Sequence, residues 1–148
     1  MKHSFCDGWE FTRHWTEAFG KGLPVPKQEV VRLPHTCREV PLHYASPADY
    51  EMVCGYRKRF QVPPVQAAPR LFVRFDGAAH QAVVRVNGKL AGQHRGGYTG
   101  FAVEITDLVD REGENLLTVQ LDTREDPAIP PFGFVIDYLT YGGLYREV

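Results

Sequence analysis

The sequence predicts an all-β domain, a jelly-roll β-sandwich of two packed antiparallel sheets, and three observations predict it. Short runs in which apolar and polar residues alternate recur from residue 52 onward, with the period of two that a half-buried strand requires. The 14 glycines and 11 prolines are spread between those runs, and no amphipathic stretch exceeds two or three helical turns. Asn87-Gly88 stands between two extended runs, and both residues tolerate the positive φ of a tight hairpin turn. At 148 residues and 43% hydrophobic, residues 1–148 suit one compact domain with a single core.

In order, "DGWEF" and "EVVRL" supply the first strands. Residues 13–28 and 36–50 carry no clear period. The Pro-rich stretch 33–52 is expected as an extended loop wrapped over one end of the sandwich, and loops of that length tend to be functional. From Met52 the alternation places Cys54, Tyr56, Lys58, Phe60 and Val62 on one face and Arg57, Arg59 and Gln61 on the other, until Pro63-Pro64 ends the strand. "RLFVRFDG" turns Leu71, Val73 and Phe75 to one side. Two strands then meet at Asn87 and Gly88, whose role is to form the turn. Gly96-Gly97 marks a tight bend or a close approach of backbone, after which Tyr98 and Phe101 are expected to pack on the core. "FAVEITDLV" buries Phe101, Val103 and Ile105 and ends in an expected short turn of helix at 107–109. "EGEN" reverses the chain, and "NLLTVQLDT" contributes Leu117, Val119 and Leu121 to one face. Pro127, Pro130 and Pro131 forbid a central strand beyond it. The count is about eight strands.

Charge excludes some functions. Lys+Arg 17 against Asp+Glu 18 leaves a formal charge of -1, so there is no basic field for nucleic acid or anionic lipid. No apolar run approaches the roughly 20 residues needed to cross a bilayer, and "MKHSFCDGWEF" lacks the features of a signal peptide, so the sequence reads as cytoplasmic. Cys6, Cys37 and Cys54 are odd in number and far apart, in no C-x-x-C arrangement; they are expected as buried or half-buried free thiols. The six histidines are scattered, and neither a metal nor a cofactor is expected.

No residue pattern announces a catalytic centre. Ser4 and Ser46 lie outside any G-x-S-x-G context, and a Cys37-His35 pair rests only on proximity in sequence. "GKLAGQHRGGYTGF" is rich in glycine but precedes no helix that could cradle phosphate. The aromatics Trp9, Trp15, Tyr44, Tyr50, Tyr138, Tyr141 and Tyr145 are compatible with stacking on the flat C–H faces of sugar rings.

The ordered series "DGWEF", "VVRLPHT", "YRKRF", "FDGAAHQAVVRVNGKLAGQHRGGYTGFAVEITDLV", "GENLLTVQLDT" and "DYLTYGGLYREV" closely resembles the N-terminal sugar-binding domain of glycoside hydrolase family 2. Its most specific parts are V-N-G-x-x-x-G-x-x-x-G-G-Y-x-x-F, Val86 to Phe101, and G-G-x-Y-R-E/D-V, Gly142 to Val148. The resemblance implies a galactose-binding-domain-like sandwich, followed in the complete enzyme by an immunoglobulin-like domain and a TIM barrel whose two glutamates perform retaining hydrolysis. This chain then has no catalytic residue of its own.

Within the family, Leu33-Pro34-His35 leans towards the β-galactosidase-like branch, since glucuronidases and mannosidases more often carry V-P-G there. The resemblance also makes Asp137 a candidate substrate-binding acid in a subsite completed by the barrel. The loop bearing His43, Tyr44 and Asp49 is placed on the same rim. Tyr141, Tyr145 and Arg146 are expected at the domain interface, with Arg146 pairing with a carboxylate across it. The expected partners are a β-galactoside-like carbohydrate and the two further domains, with homo-oligomerisation left open. Three alternatives stand beside this reading: an independent carbohydrate-binding module, a scaffold or oligomerisation domain without sugar contact, and a parent enzyme that is a β-glucuronidase or β-mannosidase.

Overall fold

A computed structural model describes residues 2–39, 46–64, 70–130 and 141–148. Among them are eight strands: β1 (Trp9–Thr12), β2 (Glu29–Val31), β3 (Val53–Gln61), β4 (Phe72–Phe75), β5 (Gln81–Val86), β6 (Lys89–Arg95), β7 (Phe101–Glu104) and β8 (Glu114–Asp122). All pairings are antiparallel, in a six-stranded sheet ordered β2-β1-β3-β8-β5-β6 and a two-stranded sheet β4-β7. The chain is therefore the all-β sandwich that its alternation predicts.

The period of two carries through to packing. On β3 and β8, Cys54 and Tyr56 face inward beside Leu117, Val119 and Leu121, all fully buried. Trp9 and Phe11 of β1 and Ala82, Val84 and Val86 of β5 join them, and Val73 and Phe75 cover them from the small sheet. The two sheets close on each other at Gly92, where an added Cβ would lie 2.6 Å from Val103 Cγ1. Next to that contact, Phe101 stacks between His94 (4.3 Å) and Phe75 (4.9 Å), joining β6, β7 and β4.

The hairpin of β5 and β6 turns at Asn87 (φ 52°) and Gly88 (φ 79°), both in the left-handed region that a two-residue turn demands. Asn87 also reaches beyond the turn. Its amide donates to Leu108 O (2.9 Å) and to Asn115 Oδ1 (2.8 Å), and its oxygen accepts from Leu116 N (3.0 Å). Asn115, 1% exposed, has both ends of its side chain bonded, accepting from Asp110 N and donating to Asp110 O.

Several expectations are corrected. Residues 106–108 form a hydrogen-bonded turn, Leu108 N to Ile105 O, and not a turn of helix. Tyr98 is 48% exposed rather than packed on the core: the chain just before it is held by bonds from Gly96 N to His80 O and from Gly97 N to Pro130 O, which leave its ring at the surface. The unperiodic stretches hold single helical turns, α1 (Glu17–Gly20), capped by Thr16, and α2 (Pro47–Tyr50). Arg57, grouped by alternation with Arg59 and Gln61 on a polar face, is only 3% exposed. Residues 13–28 fold back over that face. Arg57 pairs with Glu10, donates to Phe19 O (3.0 Å) and Leu23 O (2.8 Å), and lies 4.3 Å over the Phe19 ring.

Candidate functional site

The two ends of the long central strands have different chemistry. Val53 pairs with Asp122 at one end and Gln61 with Glu114 at the other, eight residue steps or roughly 26 Å apart. At the Val53 end lies an acidic rim. Thr123, just past β8, accepts from Met52 N (2.9 Å) and donates to Tyr50 O (2.9 Å), tying α2 to the sheet. Glu51 accepts from Glu125 N (3.0 Å), and Asp122 accepts two hydrogen bonds from the Arg124 guanidinium (2.9 and 2.6 Å). Buried His80 donates its backbone N–H to Asp122 O (3.0 Å).

Glu51, Asp122 and Glu125 lie near enough to His80 to act on its charge. Burial holds His80 below its ordinary pKa, with the charges of Glu125, Asp122 and Glu51 pulling the other way. Burial likewise opposes ionisation of Asp122, but its hydrogen bonds to Arg124 together outweigh it and keep the carboxyl below the usual range. The rim presents the carboxylates of Glu51, Asp122 and Glu125, a guanidinium and the phenol of half-buried Tyr50, groups that can hydrogen-bond hydroxyls. Among the described residues no cluster of His, Cys, Asp or Glu could hold a metal ion.

The C-terminal segment runs from this rim to the far end. Cys37 N donates to Gly142 O (2.9 Å) and His35 N to Leu144 O (2.8 Å), while Ala79 and Gly143 exchange both backbone bonds. Gly143 has φ 136°, and a Cβ there would lie 2.5 Å from His35 O, so only glycine fits between the two neighbouring strands of chain. Asp76 N then donates to Glu147 O, and Phe5 N to Val148 O. The segment ends beside a groove of about 760 Å³ lined by Phe5, Phe60, Arg70, Phe72, Arg74 and Val148 among others.

Of the residues singled out from sequence, Asp137, His43, Tyr44 and Tyr138 lie outside the described residues. The described ends of the stretch that holds Asp137 are anchored: Pro130 O accepts from Gly97 N, and Gly142 O accepts from Cys37 N. Asp49 is engaged locally, accepting from Ser46 N (2.9 Å). Tyr141 is 50% exposed. Tyr145 and Arg146 bind back to their own domain: the Tyr145 hydroxyl donates to Gly97 O, and Arg146 donates to Asp76 O and Tyr98 O (both 3.4 Å). His35 does not face Cys37 as a catalytic pair; its Nδ1 lies 2.9 Å from the Tyr56 hydroxyl. Sequence reading missed Glu51, His80, Asp122 and Glu125, which come from three separate stretches and share no spacing.

Comparison with known proteins agrees with this architecture. Residues 28–148 match the sequence model of the glycosyl hydrolases family 2 sugar binding domain. A β-galactosidase of Thermoanaerobacter pseudethanolicus is 43% identical over 121 residues, 81% of this chain and 16% of the relative. One from Thermoanaerobacterium thermosulfurigenes is 37% identical over 96% of this chain and 20% of the relative. A β-glucuronidase of Bacteroides fragilis is 41% identical over 80% of this chain and 17% of the relative. The crystal structure of a Bacteroides uniformis β-glucuronidase superposes with a TM-score of 0.82 at 27% identity, covering 98% of this chain and 17% of that one. A family 2 member from Bacteroides cellulosilyticus gives 0.78 at 26%, covering 98% and 20%. The chain spans a fifth or less of the length of these relatives. With the sandwich, the glycine-threaded C-terminal segment and the family match in agreement, the chain belongs to glycoside hydrolase family 2, as its sugar-binding domain.

Proposed function

We propose that this domain serves, without catalysing, a family 2 enzyme that hydrolyses β-galactosides, with its acidic rim and Asp137 completing a sugar subsite on a separate catalytic domain. The observation that carries the reading is the family match over residues 28–148, joined to β-galactosidase relatives at 43% and 37% identity. The rim supports it by offering hydroxyl-binding groups. A subsite completed by another domain lacks most of its contacts when alone, so the isolated chain binds sugar weakly.

The test has two parts. The 148-residue chain incubated with nitrophenyl β-galactoside is expected to release no product above buffer, and turnover would overturn the non-catalytic role. In the parent enzyme, Asp137→Ala is expected to lower kcat/KM for galactosides by tenfold or so, about 1.4 kcal/mol; an unchanged value removes Asp137 from the subsite. A β-glucuronidase parent is the second reading, favoured by the relative at 41% identity and by the superposition at TM-score 0.82. The ratio of kcat/KM for galactoside over glucuronide decides between them.

A further inference from the structure

The three thiols are not equivalent. Cys6 is buried by itself against the C-terminal segment, its Sγ 3.5 Å from Val148 O. Cys37 and Cys54 are also buried, but their sulfurs lie 3.1 Å apart, closer than two unbonded sulfurs ordinarily approach. Cys54 belongs to the central strand β3, whereas Cys37 belongs to residues 33–39, the segment that holds Gly142 and Leu144 by backbone bonds. A polar path leads outward from the pair. Cys37 Sγ is 3.7 Å from the Tyr56 hydroxyl, which is 2.9 Å from Nδ1 of half-buried His35.

We infer that Cys37 and Cys54 are a redox-convertible dithiol, oxidised by a peroxide to a disulfide that fastens residues 33–39, and through them the C-terminal segment, to β3. The reaction balances with hydrogen peroxide as the oxidant. One thiol, after losing its proton, attacks a peroxide oxygen; the O–O bond breaks and a sulfenic acid and water result. The second sulfur displaces water from that sulfenic acid to form the S–S bond. Two thiols and one peroxide yield one disulfide and two waters, the two electrons passing from sulfur to peroxide oxygen.

Burial pushes the Cys54 thiol well above its ordinary pKa, reinforced by Cys37 and by the Asp122 charge, so the pair reacts slowly unless a proton acceptor is at hand. His35 is that acceptor. Burial holds its pKa down, with the Glu29 charge opposing and Arg13 reinforcing, so the ring is neutral at pH 7. With Nδ1 unprotonated it takes the Tyr56 proton in the same step in which the Tyr56 oxygen accepts one from the Cys37 thiol. Tyr56, whose pKa burial and the neighbouring Cys37 and Cys54 push well up, thus never carries a charge. His35 is thus a positioning residue, acting through Tyr56.

The experiment uses the unaltered 148-residue chain. After peroxide treatment, intact mass is expected to fall by two hydrogens, and the tryptic fragments 33–38 and 39–57 to stay joined until a reductant is added. Thermal unfolding of the oxidised chain is expected to shift upward by several degrees, because the crosslink restricts the unfolded chain. His35→Ala is expected to slow crosslinking several-fold without changing its final extent. Oxygen addition without crosslinking, or a crosslink through Cys6, overturns the dithiol assignment. An unchanged rate in the histidine variant overturns the relay.

Discussion

One irregular segment on one side and two on the other grip opposite faces of β3 by different chemistry. Residues 13–28 cover the outer face of β3 and are held by one buried cation: Arg57, its side chain 4% exposed, pairs with Glu10 and bonds the carbonyls of Phe19 and Leu23. Residues 33–39 and 141–148 close the inner side, and they are held by backbone bonds, glycine and the contacts of Leu144, Cys37 and Tyr56. The first grip centres on one buried cation, with a backbone bond from Trp15 N to Val53 O and the Arg59 bond to Gly22 O beside it. The second distributes its strength along the backbone, so no one side chain carries it. The difference teaches where each region breaks.

The largest expected effect is at Arg57. Arg57→Ala strips a half-exposed carboxylate and two carbonyls of their donor, and is expected to cost about 3 kcal/mol of unfolding free energy, read by denaturant titration. Hydrogen exchange should quicken in residues 13–28 before residues 33–39; simultaneous loss would erase the distinction between the two grips. Gly143→Ala attacks the other side. A Cβ at φ 136° against His35 O is expected to cost about 2 kcal/mol, with faster exchange at the His35 and Cys37 amides and little change in residues 13–28.

Asn87→Ala is expected to cost about 1.5 kcal/mol, since it removes both the residue best suited to the left-handed turn and three hydrogen bonds to the region of Asn115. Asn87→Gly keeps the turn and loses only the bonds, so a chevron or melt of both variants separates the two contributions. A difference close to zero would assign the whole effect to the tie.

The smallest effect sharpens the comparison by moving the same chemistry to the surface. On the small sheet, Arg70 hydrogen-bonds Glu104 (2.9 Å), and this bond, with help from Thr106, lowers the carboxyl from 4.5 to about 2. A carboxyl lowered on folding contributes stability above its unfolded value. That contribution is complete above about pH 4.5 and is lost as pH falls towards about 2. Arg70→Ala is expected to leave the pH 7 melt nearly unchanged, because the pair faces water. NMR titration should show the Glu104 carboxyl returning towards 4.5. A loss as large as that at Arg57 would show that burial is not what separates the two ion pairs.

Much of the architecture was legible in the chain itself. Strands from Val53–Gln61 to Glu114–Asp122 alternate with a period that only an extended chain can bury on one face, and Asn87-Gly88 sets its turn by local φ preference. The family motifs were equally readable, because a glycine such as Gly143 is required by close backbone approach. Local chemistry likewise marked all three cysteines as buried thiols, since none has a partner at a metal or disulfide spacing.

What the tertiary structure alone decided depends on contacts between distant residues. Alternation assigns Arg57 to a polar face, and only the return of residues 13–28 over that face buries it. The rim gathers Glu51, His80, Asp122 and Glu125 from stretches that no sequence period relates. The division into six strands and two, and the meeting of Cys37 with Cys54, follow from how the chain crosses between sheets. Side-chain periodicity reports which face of a strand is dry; it carries no information on which other segment keeps it dry.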